Sequence, residues 1–142
     1  MLLANCATLV TALFTGAAVY VTFVEQPARM KCSTEIALSQ WRPSYARATI
    51  MQAPLAILGF LLAVAASLSG AGLVWLIAGL FLVAVVPFML LVMWPTNKLL
   101  EETDPETPAE LTRDLLGHWA NLHAVRTGLS AIALVLMIFI GR

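Results

Sequence analysis

Apolar residues run along this chain in blocks too long to be the buried stripe of a soluble helix. No Asp, Glu, Lys or Arg occurs from Met1 to Val24, and at about 1.5 Å per residue that stretch crosses a hydrocarbon core of about 30 Å. The next charge-free block runs from Ala48 to Asn97, long enough for two crossings, and Ser-Leu-Ser-Gly-Ala-Gly from Ser67 to Gly72 divides it as a hairpin turn. A further apolar stretch ends near Ile140. The pattern predicts an all-α, integral membrane four-helix bundle, a single domain over 1–142 with spans at approximately 2–24, 45–68, 73–94 and 118–140. The first stretch has no Lys or Arg before its apolar run, so it is read as a retained span and not as a cleaved signal.

Prolines and acidic residues punctuate this pattern. Pro54 and Pro87 fall inside spans and predict kinks, whereas Pro95 is expected to end span three. Glu101, Glu102, Asp104, Pro105 and Glu106 then read as a short wet loop. Thr107-Pro108-Ala109-Glu110 predicts a restart, with Thr107 as the cap, Pro at the first helical position and Glu in the first turn.

Composition agrees that water is not the main solvent: 61% of the 142 residues are hydrophobic and 11% charged, with a mean hydropathy of +0.89. So much apolar side chain cannot be hidden in one core of this size, and lipid must cover the rest. The formal net charge is zero, which gives nucleic acid nothing to bind. Cys6 and Cys32 belong near opposite ends of the first helix and read as unpaired thiols. There is no CxxC, which argues against a thiol oxidoreductase. His118 and His123 stand five apart and point in different directions on a helix, so no metal or haem site is expected, and no nucleotide or nucleophile motif occurs.

Charge is asymmetric between the two ends. Arg29, Lys31, Arg42, Arg47, Lys98 and Arg113 share the side of the 25–44 and 95–117 loops, against Arg142 alone on the other. The positive-inside rule makes the loop side cytoplasmic and leaves both termini outside, in what reads as the inner (cytoplasmic) membrane of a bacterium.

Candidate chemistry lies at that cytoplasmic end. Trp119, His123 and Arg126 fall on one stripe of span four. Arg126 is roughly two turns inside the span, where facing lipid would cost at least ~2.5 kcal/mol, so it is expected to face the bundle. The plainer alternative is that Arg126 snorkels to the headgroups and His123 bonds a neighbouring helix. Trp41, Tyr45, Thr49 and Gln52 form a second stripe on span two, lining a pocket or serving as an interfacial belt. Glu25 closes span one. Paired with Arg29 it would be a weak surface contact, and paired with Arg126 a buried and consequential one. Ala124 with Gly128, and Gly59 with Ala63, permit close helix packing within the bundle or in a homo-oligomer.

Several segments together resemble a family of small four-helix membrane proteins that includes the fungal anthrone oxygenases of polyketide pathways. They are Glu25-Gln26-Pro27-Ala28-Arg29, Trp41-Arg42-Pro43-Ser44-Tyr45 running into Met51-Gln52-Ala53-Pro54, Pro87-Phe88 with Pro95-Thr96-Asn97, and Trp119 with Leu122-His123-Ala124-Val125-Arg126-Thr127. The resemblance spans most of the chain and implies a cofactor-independent oxygenation, in which a hydrophobic phenolic carbon acid loses a proton and its carbanion reduces O2. The residues can support that chemistry, with a neutral His123 as the general base. Arg126 or Gln52 would stabilise the enolate oxygen. Trp41, Tyr45 and Trp119 would stack on the substrate, with Glu25 and Asn97 completing the binding set. Family membership does not fix a reaction. The competing expectation is a non-catalytic membrane module binding a lipid, quinone or partner helix. A transporter is disfavoured by the short chain and the lack of an inverted repeat.

Overall fold

The computed structural model describes residues 1–104 and 106–141. Pro105, assigned above to the acidic loop, and Arg142, counted above on the side opposite the loops, lie outside the described residues. Four helices run up and down: α1 (Leu2–Arg29), α2 (Thr34–Ala66), α3 (Leu73–Glu102) and α4 (Ala109–Ile140). Each lies in a segment long and apolar enough to cross a membrane, and no strand occurs among the described residues. Each helix packs on the next, and α4 returns against α1, so the bundle closes on itself. The expected all-α membrane four-helix bundle is what the chain forms. Leu13, Leu61, Leu80, Leu91 and Val135 project from it exposed, an apolar exterior suited to lipid.

Small residues bring the helices together. Ala56, Gly59, Ala63 and Ala66 recur along α2 and are buried. A Cβ on Gly59 would stand 2.5 Å from Leu82 Cδ2, and one on Gly79 would stand 3.0 Å from Ala63 Cβ, so α2 and α3 pack at a distance only glycine allows. Ala124 and Gly128 face outward. Between α2 and α3 the chain reverses at Gly70 and Gly72, with φ of 90° and 104°, values that glycine adopts without a Cβ penalty.

The helices extend past the apolar blocks, and here the sequence expectations need correction. The segments expected as loops are largely helical: α2 starts at Thr34, with the Ser33 hydroxyl accepting from the Ile36 amide at 3.4 Å. Pro95 does not end α3, which continues to Glu102. The helix widens into a π-type turn over Met89–Met93, which loosens the ladder just before the proline ring and lets the helix resume. Thr107 does not cap α4, where Pro108 occupies the cap position without a side-chain bond. The Asp104 carbonyl and carboxylate take the Thr107 and Glu106 amides at 3.0 and 2.9 Å, so Thr107 belongs to that turn.

Side chains fasten both ends. Arg113 donates to the carbonyls of Met30 at 2.7 Å and Cys32 at 3.1 Å, and Arg42 donates to those of Leu100 and Thr103. At the opposite end, Trp75 Nε1 donates to the Gly141 carbonyl at 2.9 Å.

Candidate functional site

Three polar networks lie between the middle of the bundle and the end that carries the 30–33 turn. The first begins where α1 widens over Val21–Glu25, a local change of pitch of the kind often found at functional sites. Thr22 Oγ1 lies 3.0 Å from His123 Nδ1 and 2.8 Å from Thr127 Oγ1. The Thr127 hydroxyl reaches the carbonyls of Ala18 at 3.3 Å and His123 at 3.1 Å. When Thr127 donates to a carbonyl, the single Thr22 proton goes to Thr127, and Thr22 accepts Nδ1–H from the imidazole. His123 then has its proton on Nδ1 and a free lone pair on Nε2, for which no partner is found among the described residues. Its ring is 3% exposed and lies 4.9 Å from Trp119, tilted by 33°.

The second network holds Arg126. The guanidinium faces the bundle, 6% exposed, and does not snorkel. Nη2 donates to Gln52 Oε1, the Phe14 ring lies 5.1 Å from the guanidinium carbon, and Nε has no partner. Beside it is a slot of about 10 Å³ lined by Phe14, Thr49, Gln52 and Arg126 among others, room for about one water.

The third network settles the partner of Glu25. Its carboxylate pairs with Arg29, not Arg126, and also accepts from Ser44 and, at 3.0 Å, from Gln40. Arg29 further engages Gln26 and Gln40, and Gln26 Nε2 donates to the Leu116 carbonyl at 3.0 Å. The side chains are 2% and 20% exposed, so this is not the weak surface contact that the four-residue spacing implied. The helical 34–44 segment brings Gln40 and Ser44 onto the Glu25 carboxylate. The Arg29 guanidinium also lies 5.8 Å from the centre of the Trp119 ring.

An aromatic cluster joins these networks. Tyr45 stacks on Trp41 at 4.9 Å, 4° from parallel, and Trp41 meets Trp119 edge-on at 5.8 Å. Asn97 Nδ2 donates to the Tyr45 hydroxyl at 3.0 Å. Trp41, Asn97 and Trp119 are buried, yet both indole N–H groups and Asn97 Oδ1 have no partner among the described residues.

His123, Arg126, Gln52 and Glu25 are thus neighbours in successive networks and do not converge on one open cavity. His118 is exposed on a cleft of about 740 Å³ with Glu102, Asp104 and Asp114. A second cleft of about 590 Å³ is lined by Glu35, Arg42, Asp104 and Arg113 among others. No group of three or more His, Cys, Asp or Glu able to hold a metal occurs among the described residues. Thr22 and Gln40 were not named from the sequence, and Gln26, Ser44 and Thr127 stood there only within the segments that carry the resemblance, without a role. Their only signal was a polar side chain within a turn or so of a flagged residue.

No curated protein and no solved structure matches the chain. The family model described as anthrone oxygenase matches residues 41–136, a segment that carries Trp41, Tyr45, Gln52, Asn97, Trp119, His123 and Arg126, with Thr22 and Glu25 preceding it. That match covers more than half of the sequence, and the chain belongs to the anthrone oxygenase family.

Proposed function

We infer that the protein is a membrane-embedded, cofactor-independent oxygenase acting on a hydrophobic phenolic carbon acid, with its working end toward the cytoplasm. One observation carries this: the imidazole of His123 is buried against Trp119, with one nitrogen tied to Thr22 and the other free. That is how a general base is oriented, and a plain helix-to-helix contact does not need the free nitrogen. Its Nε2 takes a proton from the activated CH2 of the substrate. Arg126, whose Nε is unpartnered, stabilises the enolate oxygen in a medium of low dielectric.

The carbanion then passes its electrons to O2 and forms a C–O bond as a peroxide, which takes up the proton. Loss of the second C–H proton with cleavage of the O–O bond leaves a carbonyl and releases water. CH2 and O2 become C=O and H2O, with the substrate as the only reductant, so the balance needs no cofactor. An apolar site within lipid suits both O2 and a poorly soluble polycycle.

The test is oxygen uptake by purified protein in detergent with an anthrone as substrate. His123→Ala and Arg126→Ala are each expected to slow turnover by about 100-fold, the lower end for loss of a general base or an oxyanion donor. Full turnover in both variants would remove the base and enolate assignments. The unpartnered indoles and Asn97 amide also fit the second reading, a module that binds a lipid or quinone without chemistry. Bound ligand without oxygen uptake would identify it.

A further inference from the structure

We propose that the face of Trp41 and the side-chain amide of Asn97 form a subsite for a phenolic ring, and that Tyr45 occupies it as an internal stand-in until a ligand displaces it. This rests on the oxygenase reading for the identity of the natural ligand, a flat phenol or its keto tautomer, and changes the part given to Tyr45 from a wall to an occupant.

Tyr45 is itself a phenol, and it is held as one would be. Its ring lies 4° from parallel to Trp41 at 4.9 Å, the offset-stacked arrangement that aromatic rings prefer. Its hydroxyl accepts from Asn97 Nδ2 at 3.0 Å. Trp41 and Asn97 are 0% and 1% exposed, whereas Tyr45 is only partly buried. Two buried residues therefore form the floor, and the residue on top of them is the one with an open side.

The surroundings are incompletely satisfied with Tyr45 in place. Asn97 Oδ1, Trp41 Nε1 and Trp119 Nε1 are buried without partners, on residues that touch Tyr45 or touch Trp41. Buried polar atoms usually find partners. One phenol offers a single oxygen, which Asn97 already uses. A larger ring system bearing a hydroxyl and a carbonyl offers several, so replacing Tyr45 exchanges one hydrogen bond for more than one.

The experiment measures binding without oxygen, on the full chain in detergent. Tyr45→Ala removes the ring and is expected to bind 4-methylphenol at least tenfold more tightly than toluene, read by ligand-observed NMR. Adding Asn97→Leu is expected to abolish that preference. Equal binding of the two ligands, or no binding, overturns the proposal.

Tyr45→Phe keeps the fold and removes only the hydroxyl. It is expected to bind dithranol, a dihydroxylated anthrone, about fivefold more tightly than the natural chain, because one hydrogen bond no longer has to be broken. The readout is quenching of tryptophan fluorescence. Weaker binding by Tyr45→Phe makes Tyr45 a wall and overturns the proposal even if Tyr45→Ala fails to fold. Because every readout is anaerobic, the two hypotheses fail separately. Absence of oxygen uptake with the phenol preference intact rejects the oxygenase alone, and turnover without the preference rejects the subsite alone.

Discussion

Arg126 is a cation placed in the apolar half of a helix, and Gln52→Leu tests what holds it there. Arg126 is 6% exposed, and among the described residues its side chain donates from Nη2 to Gln52 Oε1, with Nε unpartnered and Phe14 beneath the charge. A hydrogen bond to a charged group contributes about 1.5–3 kcal/mol net. The contact with Phe14, of the order of 0.5–2 kcal/mol, survives the substitution. Gln52→Leu is therefore expected to destabilise the bundle by about 2 kcal/mol. Arg126→Met, which leaves Gln52 Oε1 without its donor, is expected to cost about 1 kcal/mol. The double variant should return close to the natural chain, because a buried polar pair replaced by apolar groups of similar volume is often neutral.

The assay is equilibrium unfolding by SDS titration in mixed micelles, followed by the fluorescence of the four tryptophans. The quantity to extract is the coupling energy of the double-mutant cycle. A Gln52→Leu cost below about 0.5 kcal/mol with no coupling would mean that Arg126 reaches headgroups or water instead, and the placement of its charge inside the bundle would be wrong.

Three further outcomes are expected. Thr22→Val removes the hydroxyl beside His123 Nδ1. ¹⁵N NMR of labelled histidine should then show His123 lose its single tautomer while exposed His118 is unchanged, with kcat for oxygen uptake falling about tenfold, one hydrogen bond's worth, at unchanged KM. Arg29→Met leaves Glu25 with Ser44 and Gln40 but no cation, and should cost about 2–3 kcal/mol in the same unfolding assay. Arg29→Lys should recover less than half of that, since Nε, Nη1 and Nη2 each have a separate partner that one ammonium cannot reproduce. Cys32 is exposed in the turn after α1, so a membrane-impermeant maleimide should label it in inverted vesicles and not in intact spheroplasts. The opposite pattern would reverse the proposed orientation.

What could be seen in the sequence followed from periodicity within single helices. Trp119, His123 and Arg126 share a face because three, four and seven residues bring a helix round to nearly the same side, and all three are buried. Trp41 and Gln52 are buried on α2 for the same reason. What could not be seen were partners supplied by another helix. Thr22 meets His123 across 101 residues and Gln26 meets Leu116 across 90, and a threonine in an apolar span looks the same whether it back-bonds to its own helix, as Thr8 does to Ala4, or orients an imidazole. The burial of Arg29 and the partners of Glu25 were hidden likewise, because Gln40 and Ser44 come from an α2 that is helical from Thr34. Proline rules misled at Pro95, where a widened turn just upstream accommodates the ring.

The distribution of unmet hydrogen-bonding capacity says what sort of ligand this end of the bundle suits. Most of its buried polar atoms are engaged within the three networks. Of the six buried side-chain atoms without a partner among the described residues, Thr11 Oγ1 lies toward the other end and Arg42 Nε belongs to a side chain already bound to the 100–103 carbonyls. The remaining four are Trp41 Nε1, Trp119 Nε1, Arg126 Nε and Asn97 Oδ1, three donors and one acceptor. A cationic ligand held beside these four atoms would meet Glu25 already occupied by Arg29, Gln40 and Ser44. An apolar lipid tail would leave all four unmet, each at a cost of about 1–3 kcal/mol. A flat molecule with two or three oxygens and one hydroxyl proton meets both the donor excess and the single acceptor, and an enolate forming on it is stabilised most by the donor that already carries positive charge. Under the proposed oxygenase reading, the developing charge would then lie near Arg126, one turn along α4 from His123, the proposed base, where both side chains are buried.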